Sequence, residues 1–216
     1  MVTNTDGVFP KRIPIGVYDQ TIVCEPCERS FSDYDNYAAH LFLNRLHEFE
    51  EVRDNTGRLT GYVFSKAWDY SLLKLFAIAV LWRASVSSRS FFRRVRLGAF
   101  EKKAREMLLR RDPGDTATFA TLFSVWDDAD PFMMDPCAGR WDGGVRYYRF
   151  YLGKFVAYMK VDSRTLPEPL PKAALRADGS LHLLSRELAA SKDFRVAEHV
   201  FAYYEANRRS GARGCR

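Results

Sequence analysis

Apolar positions along the chain change their period near residue 115. From Ser30 to Arg111 they recur at helical spacing. Beyond Asp115 they alternate, or run together with β-branched and aromatic side chains. In "SFSDYDNYAAHLFLNRLHEFEEV", Tyr37, Leu41, Leu43 and Leu46 predict a first helix, which Ser32, Asp33 or Asp35 can cap. "DNTG" at Asp54–Gly57 then reads as a turn and "LTGYVF" as a strand. Trp68 to Ser85 is apolar nearly all round, the pattern of a helix covered on several sides. "SSRS" offers caps for an element from Phe91 to about Leu97, and a further helix runs from about Ala99 to Arg111, closed by "DPGD". "TATFATLFSVW" predicts a strand, "VRYYRFYLGKFVAYMKVD" two strands around Leu152–Gly153–Lys154, and Ser180 to Leu188 another.

Helices lead and strands follow, so the expected fold class is α+β: a helical N-terminal half packed on an antiparallel sheet from the C-terminal half. One domain over residues 1–216 is expected. It comprises an irregular leading segment (1–20, with a short strand near Ile13–Val17), a cysteine knuckle and helices (21–111), mainly strands (115–188) and a terminal helix (193–207). A chain of 216 residues that is 47% apolar can bury a proper core, and 28% charged residues with a net charge of +6 exclude a disordered one. "MVTNTDGVFPKRIP" lacks the apolar segment of a signal peptide. Leu72–Trp82, the most apolar run, is eleven residues long with Lys74 inside it, too short to span a bilayer. A cytoplasmic protein with no membrane partner is expected.

Candidate chemistry begins at "TIVCEPCERSF". Thiolates are soft donors, and the Cys24-x-x-Cys27 spacing sets two sulfurs side by side, which is half of a tetrahedral zinc site. The remaining donors in the chain are His40, His47, Cys137, His182, His199 and Cys215. His40 and His47 lie seven apart, about 10 Å along a helix, too far to share one ion, so one of them serves at most. Cys137, in the proline-containing "MMDPCAGRW", is the better distant ligand. The expected set is therefore Cys24, Cys27, His40 and Cys137, with zinc as the cofactor. Two plain thiols and a redox pair stay open as alternatives. The redox use is disfavoured by Glu25 and Glu28, because neighbouring carboxylates raise a thiol's pKa.

"IPIGVYDQTIVCEPCERSFSDYDNYA", with "DYSLLKLFAIAVLWRASVSS" and "FFRRVRLGAFEKKAREML", resembles a group of uncharacterised bacterial proteins described as HNH-endonuclease-like. The matching residues are Cys24, Cys27, Glu28, Tyr34, Asp35 and Tyr37. The resemblance implies that they form the second knuckle of a treble-clef zinc site. In longer members of the group an earlier Cys-x-x-Cys and a histidine-containing segment precede this stretch, and the present sequence contains neither.

From Trp82 to Arg111 ten basic residues face two acidic ones, so this segment carries +8 and the rest of the chain −2. Such a local excess suits a phosphate-binding face formed by Arg89, Arg93, Arg94, Arg96, Lys102 and Lys103, with Phe91, Phe92 and Phe100 available to stack on bases. The competing reading is a solvated helix face held by Glu101–Arg105 and Glu106–Arg110 ion pairs. Asp127, Asp128, Asp130, Asp135 and Asp142 crowd one region but match no calcium-loop spacing. Neither a Gly-rich phosphate loop nor a nucleophile elbow is present. Two functions follow as expectations: a non-catalytic or degenerate HNH-like zinc-knuckle protein that binds a protein or nucleic-acid partner, and alternatively an HNH-type metal-dependent nuclease acting on DNA or RNA.

Overall fold

A mixed seven-stranded sheet with three α-helices on one face makes up the computed structural model, which describes residues 19, 21–128, 134–191 and 194. The helices are α1 (Glu25–Ala39), α2 (Tyr70–Val86) and α3 (Phe100–Arg110). The strands are β1 (Glu50–Arg53), β2 (Leu59–Phe64), β3 (Thr121–Trp126), β4 (Cys137–Arg140), β5 (Arg146–Leu152), β6 (Phe155–Lys160) and β7 (Leu181–Arg186), in spatial order β1-β2-β7-β3-β6-β5-β4. The fold is α+β, as the change of period predicts. The sheet is not purely antiparallel: β7 enters between β2 and β3 and runs parallel to β3. Nor is it confined to the C-terminal half, since β1 and β2 precede α2.

Alternation along the strands fills both faces. Phe123, Val125, Phe155, Ala157, Met159, Tyr148 and Phe150 join Leu73, Ile78, Leu81 and Phe31 in the core under the helices. Leu122, Trp126, Val156, Tyr151 and Tyr158 point the other way and are covered by Leu166, Leu170, Ala173 and Ala174. The large side chains of "YYRFY" are thus covered on both sides. The described residues contain no helix long and apolar enough to cross a membrane.

Several boundaries differ from expectation, each for a local reason. α1 starts at Glu25 rather than near Ser32: the Glu28 N–H donates to the Cys24 carbonyl at 3.0 Å, Pro26 suits a first turn, and Glu25 and Glu28 complement the helix dipole. The Ser30 and Ser32 hydroxyls bond back to the carbonyls of Cys27 and Arg29, both at 2.7 Å, and so ride inside the helix instead of capping it. The helix does not reach Val52. It widens into a π-turn at His40–Asn44, then a 3-10 turn at Leu46–Glu48, and Glu50–Arg53 becomes an exposed edge strand. Phe91–Leu97 holds one 3-10 turn, Ser90–Phe92, and no longer element. Cys137 opens a strand rather than sitting in a loop. The leading segment before Asp19 and the expected terminal helix lie outside the described residues.

α2 carries the least expected side chain in the core. Lys74 is wholly buried on a helix lined mainly by leucine, alanine and isoleucine, and its Nζ has no hydrogen-bond partner among the described residues. One turn earlier the Tyr70 hydroxyl is buried and also meets no partner among the described residues. Burial pushes the Lys74 amine down to about 7, against a smaller upward pull from Asp115, while Lys160 adds to the depression.

At Gly61 the sheet leaves no room for a side chain against a neighbouring backbone. A Cβ on Gly61, in β2, would stand 2.5 Å from the backbone oxygen of Leu183 in β7. Backbone in mid-ladder cannot step aside, so Gly61→Ala is expected to cost about 2–3 kcal/mol in urea unfolding, the range of overpacked cores. A change below about 0.5 kcal/mol contradicts this packing.

Candidate functional site

The two thiols occupy the first turn of α1. Cys24 is the N-cap, with extended backbone, and Cys27 is at the third helical position. Cys24 is exposed and Cys27 half-buried. The Cys24 side chain makes no capping hydrogen bond, and the neighbouring Cys27 N–H and thiol pull the Cys24 thiol below its usual pKa range. Donating its proton to Cys24 raises the Cys27 thiol, burial adds to this, and the Arg105 charge opposes it. The flanking acids do not control the sulfurs as expected. Glu25 pairs with Arg29 at 3.1 Å and Glu28 lies 4.0 Å from Arg83.

Beside the pair is a cavity of about 190 Å³, walled by Ile22, Phe31, Trp82 and Leu108, with Arg105 at its edge. The expected Glu101–Arg105 and Glu106–Arg110 pairs do not form; Lys102 approaches Glu106 at 4.0 Å instead. Arg105 has no carboxylate within ion-pair distance among the described residues.

The sulfurs fit two corners of a tetrahedral zinc site, but the other expected ligands are elsewhere. His40 stands thirteen residues further along α1, about 20 Å up the axis, where its ring nitrogen meets the Asn44 amide at 3.3 Å. The Cys137 sulfur accepts from Arg149 at 3.1 Å and contacts the Tyr151 hydroxyl at 3.7 Å. Among the described residues no three His, Cys, Asp or Glu side chains converge on a metal position. His199 and Cys215 lie outside them. The described residues therefore do not fit a closed structural zinc site.

What joins the segment before the thiols to the helices is Asp19. Its carboxylate accepts from Thr21 N–H (3.2 Å), Thr21 Oγ1 (2.8 Å), Ser87 Oγ (2.6 Å) and Ser88 N–H (3.2 Å), tying the chain to the C-terminal end of α2. These bonds, led by that from Ser87, hold the carboxyl down at about 2. The Asp19-x-Thr21 spacing is the sequence signal for half of this cluster; Ser87 is too distant in sequence to be read.

The basic segment splits into committed and available charges. Arg83 makes a two-pronged contact with Asp35 at 2.8 and 2.7 Å, and Arg111 reaches Asp33 at 2.9 Å. Arg89, Arg93, Arg94, Arg96, Lys102 and Lys103 are all exposed. Arg96 turns to its neighbour's carbonyl and Lys103 to the Thr118 hydroxyl, whereas Arg89, Arg93 and Arg94 meet no carboxylate among the described residues. Phe91 and Phe92 pack on each other at 5.0 Å and Phe100 on Phe119 at 6.2 Å. These rings are half-buried, which leaves phosphate rather than base contacts to the surface.

Remaining polar candidates have structural partners. Asp127 accepts from Tyr62 Oη at 2.7 Å and from Ser185 Oγ, and Asp128 from the Leu188 N–H at 2.7 Å. His182, on β7, is half-buried, and burial lowers its pKa. Asp130 lies outside the described residues. No protein-family model matches the chain, and no curated protein or solved structure matches it.

Proposed function

We propose that the protein binds nucleic acid without cleaving it, through the basic surface from Arg89 to Lys103. The observation that carries this reading is the exposure of Arg89, Arg93 and Arg94 with no acidic partner among the described residues. Unpaired arginines on one surface favour a polyanion and release its counterions on binding. The resemblance to HNH-like proteins points to the same class of partner. Zinc belongs to this reading as an ion half-held by Cys24 and Cys27, with its other two ligands supplied from outside the described residues.

A salt titration of affinity for labelled duplex DNA and RNA tests the proposal. Four to six phosphate contacts give a slope of log affinity against log salt of about −4 to −5. Arg93→Glu/Arg94→Glu is expected to reduce that slope by about 2 and to weaken binding by at least about tenfold, equally across sequences. A flat salt response removes the proposal. Cleavage of either nucleic acid in magnesium or manganese, lost in His40→Ala, replaces it with the nuclease reading.

A further inference from the structure

Without a bound zinc the two sulfurs are available for another chemistry. We propose that Cys24 and Cys27 form a dithiol that exchanges with small anionic disulfides, closing a Cys24–Cys27 bridge; this is independent of nucleic-acid binding. Three observations converge. Both cysteines line one cavity, and positions three apart at the start of a helix lie within the Cα separation a disulfide spans. Cys24 is exposed while Cys27 is half-buried behind it, an arrangement of attacking and resolving thiols. The cavity of about 190 Å³ next to them has apolar walls to seat the carbon skeleton of a substrate, and Arg105 at its edge, which meets no carboxylate among the described residues, favours a carboxylate on it.

The exchange balances without a metal. The Cys24 sulfur, as thiolate, attacks one sulfur of the small disulfide, whose S–S bond breaks and releases one thiol. Cys27 then loses its proton and attacks the Cys24 sulfur of the mixed disulfide, which releases the second thiol. The protein is oxidised by two electrons, the small disulfide is reduced by the same two, and both protons leave on the released thiols.

The experiment uses the full chain with Cys137→Ser/Cys215→Ser, so that only the pair can react. Oxidised glutathione is the anionic probe and cystamine the cationic one, with intact mass and peptide mapping as readouts. The wild-type pair is expected to lose two hydrogens and map as a 24–27 bridge, and Cys27→Ser to retain one glutathione on Cys24. Glutathione disulfide is expected to react about tenfold faster than cystamine at low salt, a preference that Arg105→Glu cancels. Circular dichroism of each variant separates lost reactivity from lost fold. The proposal is overturned if the folded protein keeps both thiols in excess oxidised glutathione, if one zinc equivalent held by the pair blocks the reaction, or if the two probes react alike.

Discussion

Lys74→Met is expected to stabilise the protein by about 4 kcal/mol at pH 7. A lysine whose amine falls from about 10.5 in the unfolded chain to about 7 when folded carries a penalty of about 1.4 kcal/mol per pH unit between those values. The sign follows from proton counting. Above pH 10.5 both states are neutral at this position and nothing is lost. As the pH falls toward 7 the unfolded chain takes up the proton and the folded one does not, so stability declines; below 7 both are charged and the loss is constant. Methionine fills nearly the same volume without an ammonium to desolvate. Urea unfolding from pH 7 to 10.5 checks this. The gap between mutant and wild type should shrink steadily as pH rises, and a mutant less stable than wild type at pH 7 contradicts it. Asp115 and Lys160 carry the charges that act on this amine, and both are present in mutant and wild type, so the difference between the two chains isolates Lys74.

Phe42→Ala is expected to cost about 3–5 kcal/mol, the range for removing a buried aromatic side chain. Phe42 sits in the π-turn after α1, and its ring lies 4.7 Å from that of Phe155 and 4.9 Å from that of Phe123. The three rings join the end of α1 to the centre of the sheet. Leu43, the next residue, is 73% exposed, so Leu43→Ala is expected to stay within about 0.5 kcal/mol. Equal losses for the two variants in urea unfolding would mean that the aromatic cluster does not hold this junction.

The contrast between Phe42 and Leu43 shows where sequence reading reached its limit. Both are apolar and adjacent, and the sequence reading puts Leu43 in the apolar stripe; continued at helical period from Phe31, Tyr34 and Ala38, the buried stripe reaches Phe42 instead. Elements with strong local patterns were legible: α2 from its apolar run, α3 from its stripe of Phe100, Ala104, Met107 and Leu108, and the β5–β6 hairpin from Gly153. The start of α1 was not, because cysteine is a rare N-cap and the serines that looked like caps bond backward within the helix. The parallel pairing of β7 with β3 depends on contacts some sixty residues apart, which no local pattern encodes. At the candidate site the same division holds. The thiol spacing and the basic run were visible in the sequence, and their partners were not, since Arg105 was assigned to Glu101 and Asp19 finds Ser87 only through folding. Lys74 marked the apolar run as non-membrane, but its burial depends on the tertiary packing of α2.

The place of β7 has a consequence for synthesis on the ribosome. A nascent chain that ends before Leu181 holds β1–β2 as one ribbon and β3 to β6 as another, with nothing to bridge Gly61–Phe64 and Phe123–Trp126. Two strand edges then wait, unpaired, for β7 to emerge, a state prone to self-association and slow to close. A pause in synthesis before residues 181–186 are made would prolong this open state.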